Sequence, residues 1–152
     1  MNQHDDEPVG GDASNRLLWA LRRAELAARG LKDQQLRPLG MAAAHYSLLM
    51  QIHTEPGLTG AELARRLDVT PQAVASLVAR LDGKGQLERR PHPRHRHIQE
   101  LHLTDAGREA LRSADAMIGS IEDRITDRLG PDDSARFAAM LDEVIDALRS
   151  TR

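Results

Sequence analysis

The sequence predicts a mainly α-helical fold (α+β) with one small β-hairpin. Most of the 152 residues lie in segments whose apolar residues recur every three or four positions, which is typical of one face of a helix. Between residues 86 and 103 the pattern changes to alternation, which is typical of short strands. Two short helical segments, 60–66 and 71–82, lie directly before this alternating stretch. The chain should therefore carry helices at both ends and a helix pair followed by a hairpin in its middle.

Composition limits the class of protein. With 21 basic and 23 acidic residues the net charge is −2, so any signal for nucleic-acid binding must be local. The absence of cysteine excludes disulfides and cysteine zinc sites. No phosphate loop or nucleophile motif is present, so we expect no enzyme activity, no cofactor and no metal. Without a signal peptide or an apolar run of about 18 residues, we expect a cytoplasmic protein that does not contact membranes.

The N-terminal part of the chain contains two expected helices. Residues 1–14 carry four acidic and almost no bulky apolar residues, so we expect a disordered acidic tail. From Arg16 to about Leu31, apolar residues are spaced by four and three positions, which predicts a long helix. Pro38 and Gly40 interrupt this pattern, and a second helical segment follows from Met41 to His53.

The segment from Leu58 to Leu81 predicts two helices joined by a tight turn, with Thr70 capping the second helix and Pro71 as its first residue. Seven apolar residues should line the inside of the pair: Leu63, Ala64, Leu67, Val69, Val74, Leu77 and Val78. Four residues of the second helix should then project outward: Gln72, Ala73, Ser76 and Arg80. Glutamine and arginine can form paired hydrogen bonds with base edges, and a helix N-terminus can bind phosphate. The alternative is that the two helices pack together only for stability and contact no DNA.

Positive charge is concentrated immediately after this helix pair. Residues 86–99 contain four arginines and one glutamate, a net charge of +3, whereas the whole chain is negative. Pro91 and Pro93 stiffen the tip of the expected hairpin, and a cationic tip can enter the minor groove of DNA. The tip would present three side chains: Arg94, His95 and Arg96. Ile98 is out of phase with the alternation after it, so we expect a bulge or a strand start there. A solvated charged loop is the alternative.

Two further helices are expected at the C-terminus, from Thr104 to about Leu129 and from Ser134 to Arg149. In the helix that starts at Thr104, apolar residues recur at intervals of three and four positions over two heptads. This spacing predicts a seam against another helix. Because a small domain cannot cover this seam and the apolar faces of both terminal helices, we expect a homodimer. Its interface would contain ten residues: Leu17, Leu21, Leu111, Ile118, Ile121, Ile125, Phe137, Leu141, Val144 and Leu148. A seam satisfied within one chain is the alternative.

The order of these segments resembles the MarR family of bacterial transcriptional regulators. The resemblance spans about residues 16–150 and rests on LTGAELARRLDVTPQAVASLVARL, the basic hairpin with its prolines, and LTDAG before the long helix. It implies a winged helix-turn-helix homodimer that binds a near-palindromic operator, usually as a repressor, and is often released by small phenolic or apolar effectors. Members commonly carry Asp-Arg-Arg at the wing tip. This chain has His95-Arg96-His97, so only Arg96 carries over, and Ser76 stands where many members have a recognition-helix arginine.

The resemblance divides the chain by role. Residues 15–35 would form an N-terminal dimerisation helix, 36–103 the winged helix-turn-helix DNA-binding domain, and 104–152 the C-terminal dimerisation helices. The predicted function is sequence-specific binding of double-stranded DNA to regulate transcription. A protein that coats the chromosome without sequence preference is the alternative, and a protected palindrome in a footprint would separate the two.

A small aromatic or apolar effector would bind where the terminal helices meet the DNA-binding region. Three residues are candidate contacts: Trp19, His45 and Tyr46. A lone aromatic residue on an apolar face is also common in an ordinary core. A metal-responsive regulator that uses His92, His95 and His97 is a further alternative, although no cysteine or ordered acid completes a tetrahedral set.

Overall fold

The computed structural model describes residues 16–150, so the expected disordered tail lies outside the described residues. Six α-helices, one 3-10 turn and three strands follow one another in this range. They are α1 (Leu17–Leu36), the 3-10 turn (Arg37–Leu39), α2 (Ala43–Thr54), β1 (Leu58–Thr59), α3 (Gly60–Leu67), α4 (Pro71–Gly83), β2 (Leu87–Pro91), β3 (Gln99–Leu103), α5 (Asp105–Leu129) and α6 (Pro131–Arg149). The mainly helical fold with one small hairpin agrees with the sequence prediction.

The ends of the helices follow local chemistry. α1 continues beyond the predicted end at Leu31, because Leu36 is completely buried and packs into the core. The positive φ of Gly40, +64°, then allows the chain to leave the 3-10 turn. α6 begins at Pro131, three residues earlier than predicted. Proline at the first helical position sacrifices no hydrogen bond, and the acidic residues that follow it favour the positive end of the helix dipole.

The three strands form one antiparallel sheet in the order β1-β3-β2. The hairpin register is continuous from Leu87 opposite Leu103 to Pro91 opposite Gln99. The irregularity expected near Ile98 is therefore a strand start and not a bulge, because β3 begins at the next residue. β1 was not predicted. It consists of two residues, and Leu58 pairs with Leu101 of β3, which ties the start of the helix pair to the hairpin.

One hydrophobic core joins the end of α1, α2, α3, α4, the sheet and α5 as far as Ile121. Its completely or almost completely buried side chains are Leu36, Leu48, Leu49, Ile52, Leu63, Leu81 and Val74. Six of the seven apolar residues predicted to line the helix pair are buried or half-buried. Val69 is the exception, since 41% of its surface is exposed. It follows the turn residue Asp68, whose positive φ of 52° turns the chain outward.

Three residues of the predicted dimer seam belong to this core. Leu111, Ile118 and Ile121 of α5 are 5%, 9% and 7% exposed within a single chain. They are buried because α5 packs against α1 and α2 of the same molecule. This burial favours the alternative of a seam satisfied within one chain for these three residues, which have little surface left for a subunit interface. Ile125, one turn further along, is 43% exposed.

Apolar side chains on the outer faces of α1 and α6 remain exposed. The largest exposed fractions are those of Leu17, Leu18, Trp19, Leu26, Phe137, Met140, Ile145 and Leu148. No side chain of α6 is fully buried. An amphipathic helix of 19 residues with this pattern has an apolar face that the single chain leaves open.

Gly107 fixes how the hairpin meets α5. A Cβ atom at this position would lie 2.1 Å from the backbone oxygen of Gln86, which is closer than any side chain can approach. The same oxygen accepts a hydrogen bond from the Thr104 amide at 3.1 Å, and the Thr104 hydroxyl caps α5 by accepting from the Gly107 amide. The LTDAG segment therefore joins the hairpin to α5 in two ways. Its threonine caps the helix, and its glycine allows the base of the hairpin to contact the first turn of α5.

Candidate nucleic-acid interface

The helix pair α3 and α4 is fixed by side-chain caps at both N-termini. In α3 the Thr59 hydroxyl accepts from the Glu62 amide at 3.2 Å, and the Glu62 carboxylate accepts from the Thr59 amide at 2.9 Å. In α4 the predicted cap is present, because the Thr70 hydroxyl accepts from the Ala73 amide at 3.1 Å. These bonds fix where α4 begins and therefore which of its side chains face outward.

The outer face of α4 is made of small and polar side chains. Gln72, Ser76 and Arg80 are exposed, as predicted, at positions that recur along one side of the helix. Ala73 is half-buried and so contributes less to this face than expected. Ala75 and Ala79 are exposed between the polar residues and were missed, although their spacing from Gln72 places them on the same side. The helix can approach another surface closely because nothing bulky lies between its three polar groups.

The hairpin of β2 and β3 forms a wing beside this helix. Arg89 and Arg90, on β2, are held by carboxylates: Arg89 donates to Asp82 at 3.3 Å and Arg90 donates to Glu88 at 3.1 Å. The salt bridge with Arg90 lowers the pKa of the Glu88 carboxyl. Arg94 and Arg96 lie at the tip of the wing and are exposed. Within the described residues 16–150 they form no salt bridge. Their charges are available to an external anion.

A groove of about 670 Å³ separates the wing from the helix pair. Ala75 and Val78 of α4 form one wall, and Arg89 and His92 of the wing form the other. Arg65, on α3, also lines this groove. The polar face of α4 and the cationic wing are thus neighbouring parts of one surface.

The three candidate effector contacts do not share a cavity. Trp19 lies in the first turn of α1 and is 47% exposed. The Tyr46 hydroxyl donates to Asp115 of α5 at 2.8 Å, and burial together with this hydrogen bond raises the pKa of Tyr46 to about 12. His45 lines a cavity of about 250 Å³ with Asp33, Arg37 and Arg80, but neither Trp19 nor Tyr46 does.

His45 is a buried histidine that caps its own helix. Its Nδ1 atom accepts a hydrogen bond from the Ala42 amide at 3.1 Å, so the neutral ring carries its proton on Nε2. Nε2 is buried and has no hydrogen-bond partner among the described residues. Burial lowers the pKa of His45, and the positive charges of Arg80 and Lys84 lower it further. The fold therefore favours the neutral ring.

Folding stability should decrease on acidification because of His45. A folded-state pKa below the unfolded value of 6.5 means that the unfolded chain binds the proton more readily, so stability is retained above about pH 6.5 and lost below it. Glutamine at this helix position can make the same capping bond without titrating. The decrease in melting temperature between about pH 7.5 and about pH 5.5 should be smaller for His45→Gln than for the wild type. The control is His53→Gln, at an exposed position in the same helix; equal decreases for all three proteins would contradict the assignment.

The wing histidines do not form a metal site in the described part of the chain. The His92 and His95 rings are stacked with centroids 5.5 Å apart, and the His95 and His97 rings meet edge to face at 6.1 Å. No group of three histidine, cysteine or acidic side chains within residues 16–150 could hold a metal ion. The metal-responsive alternative therefore has no support in the geometry.

Known proteins share this arrangement. A family model described as MarR family matches residues 39–97. The HTH-type transcriptional repressor Rv2887 of Mycobacterium tuberculosis is 28% identical over 144 residues, which cover 95% of this chain and 98% of that protein. The transcriptional repressor CouR bound to a 23-mer DNA duplex has a TM-score of 0.82 and 29% identity, over 89% of this chain and 96% of CouR. CouR bound to p-coumaroyl-CoA is 30% identical, with a TM-score of 0.76, over 91% of this chain and 98% of CouR.

The chain belongs to the MarR family. Membership confirms the predicted winged helix-turn-helix fold and the predicted function of a DNA-binding transcriptional regulator. The relatives Rv2887 and CouR are both transcriptional repressors, which is the class of protein that the sequence predicts. Within residues 16–150 no helix has the length and apolar character needed to cross a membrane.

Proposed function

We propose that this MarR-family protein represses transcription as a homodimer that binds a near-palindromic operator and leaves it when a small effector binds. The observation that carries the proposal is the exposed polar face of α4 beside a wing with exposed arginines at its tip, on one surface of one chain. The similarity to CouR, whose structure contains a DNA duplex, supports the same orientation toward DNA. The protein would act in the cytoplasm, where a bacterial chromosome lies.

The DNA contacts divide into base contacts and wing contacts. Gln72, Ser76 and Arg80 of α4 would meet base edges in the major groove, because these are the exposed polar groups of its outer face. Thr70 and the half-buried Ala73 lie at the helix N-terminus, whose amides favour a phosphate. The wing tip would enter the minor groove with its exposed residues: Arg94, His95 and Arg96.

Residues 15–35 and 104–152 would form the dimerisation region, and 36–103 the DNA-binding domain. The exposed apolar faces of α1 and α6 need a partner, and a second copy supplies two matching faces by symmetry. Without the three core residues of α5, the proposed interface contains Leu17, Leu21, Ile125, Phe137, Leu141, Val144 and Leu148. All seven are exposed or half-buried in the single chain.

The effector would bind where α1 meets the DNA-binding domain. A cavity of about 370 Å³ lies there, lined by Arg29 and Lys32 of α1, by Ala43 of α2 and by Leu67 and Leu77 of the helix pair. Of the sequence-predicted contacts, His45 borders the neighbouring cavity, whereas Trp19 and Tyr46 belong to neither. Relatives bind aromatic acids and thioesters: CouR binds p-coumaroyl-CoA and Rv2887 binds salicylic acid. A hundredfold loss of operator affinity needs only about 2.8 kcal/mol of coupling.

The direct test of the proposed function is to select genomic DNA fragments with the purified protein and sequence them. We expect enrichment of a small number of fragments that share a near-palindrome, and footprinting should protect that element. A panel of aromatic acids should weaken binding to it. Uniform recovery of all fragments would instead identify a protein that coats DNA and would refute the operator.

Gln72 should determine preference at one base pair of each half-site. Gln72→Ala should reduce affinity for the selected operator by about 1 to 3 kcal/mol and relax the base preference at a single position of the half-site. The reason is that the two hydrogen bonds between the Gln72 side-chain amide and a base edge are lost. Titration of operator duplexes that vary at each position measures this. Gln34→Ala, at an exposed position of α1, is the control and should change nothing. Uniform weakening on all sequences would show that Gln72 contacts the DNA backbone.

A further inference from the structure

One imidazole organises the tip of the wing. The Nδ1 atom of His92 accepts two backbone hydrogen bonds, from the Arg94 amide at 3.1 Å and from the His95 amide at 3.2 Å. These donors lie two and three residues after the histidine. This is the pattern in which an aspartate or asparagine side chain closes a turn on the backbone that follows it. The ring of His92 thus performs in this turn the task of a short carbonyl side chain.

The arrangement fixes the protonation of the ring. A ring nitrogen that accepts a hydrogen bond carries no proton, so neutral His92 must be protonated on Nε2. If the proton were on Nδ1, two amides at the tip would lose their acceptor. The structure therefore assigns one tautomer to this side chain.

The surrounding contacts join the turn to the sheet. The His92 amide donates to the Ile98 backbone oxygen at 2.8 Å, and the Ile98 amide donates to the His95 oxygen at 2.8 Å. Pro91 and Pro93 on either side of His92 restrict the backbone φ. The imidazole also stacks on the ring of His95 and lines the groove toward α4. His92 is half-buried, whereas the residues from Pro93 to Ile98 are exposed.

We propose that His92 is a positioning residue for DNA binding, which holds Arg94 and Arg96 outward by accepting the hydrogen bonds of the Arg94 and His95 amides. The proposal rests on the proposed function, because it gives the wing arginines their role at the minor groove. It differs from a space-filling role, since it depends on one acceptor atom and not on the volume of the ring. It also differs from a direct DNA contact, since that atom is already engaged in the free protein.

Three substitutions separate these roles. Asparagine places its oxygen close to the position of Nδ1, so His92→Asn should keep the turn. Glutamine places its polar group near Nε2, and alanine has no polar side-chain group. Both His92→Gln and His92→Ala should therefore lose the turn. We expect His92→Gln and His92→Ala to bind the operator about tenfold more weakly than the wild type, with a smaller salt dependence, and His92→Asn to stay within about twofold. Equal losses in all three variants, or wild-type affinity in His92→Gln and His92→Ala, would overturn the proposal.

Two measurements on the free protein test the cap without DNA. Nitrogen-15 chemical shifts of the wild-type ring should identify Nδ1 as the unprotonated nitrogen, and a proton on Nδ1 would refute the assignment. Hydrogen exchange at the amides of residues 94 and 95 should be faster in His92→Ala and His92→Gln and unchanged in His92→Asn; unchanged exchange in all three would also refute it. Loss of the proposed function would look different, because the wild type itself would then fail to bind an operator while the tautomer and exchange pattern remained.

Discussion

Phe137→Asp should convert the protein to a monomer and reduce operator affinity by about a thousandfold or more. Phe137 lies on the exposed apolar face of α6 and is 46% exposed in the single chain, so the change leaves the core intact. In a dimer the same side chain would be covered, and burying an unpaired carboxylate there is strongly unfavourable. A monomer reaches one half-site only, so its affinity should approach that of non-specific binding, which is at least about a thousandfold weaker for specific DNA-binding proteins.

A matched control exists on the same helix. Ala139→Asp adds the same charge on the opposite face, beside the acidic residues Asp142, Glu143 and Asp146, and should leave both the dimer and operator binding intact. Light scattering after size exclusion gives the mass, and circular dichroism checks folding. A Phe137→Asp protein that remains dimeric and keeps its affinity would remove α6 from the interface. Ile121→Asp, suggested by the heptad pattern, is not a useful test because Ile121 is 7% exposed and its loss would damage the single-chain core.

Arg96→Ala should weaken binding to every duplex by about tenfold and reduce the slope of log affinity against log salt by about one. Arg96 is exposed at the wing tip, and its guanidinium would enter the minor groove, where the negative potential favours arginine. The loss should be nearly the same for operator and random duplex, because the contact carries little base information.

The control for the wing is Arg112→Ala. Arg112 is an exposed arginine on α5 that forms a salt bridge with Glu109 on its own helix, so its removal changes the net charge equally without touching the wing. Titrations at several salt concentrations should separate the two variants. If Arg96→Ala and Arg112→Ala behave alike, only the total charge matters and the wing does not touch DNA.

The sequence predicted most helices because their apolar spacing is a local property. Thr70, Pro71 and the LTDAG segment could be interpreted in the same way, since a cap or a close approach depends on a few neighbouring residues. β1 could not be predicted, because two residues carry no periodicity and Leu58 becomes a strand only by pairing with Leu101, far along the chain.

The dimer seam shows the main limit of pattern analysis. The spacing of Leu111, Ile118 and Ile121 correctly indicates a face that packs against other helices, but periodicity contains no information on whether those helices belong to the same chain. The role of His92 could not be predicted either. A histidine in a basic loop suggests a positively charged side chain, whereas the hydrogen bonds that His92 accepts depend on the backbone path of the wing tip. Ala75 and Ala79, in contrast, were open to prediction from their spacing on α4.

The most direct test of the central claim is the mass of the complex with a symmetric operator duplex. The account predicts two chains on one duplex, with recognition helices in major grooves about one turn of DNA apart, and much weaker binding when one half-site is scrambled. Mass photometry or sedimentation analysis with both duplexes measures stoichiometry and affinity together. A single chain on each duplex, with equal affinity for the intact and the half-scrambled site, would contradict it.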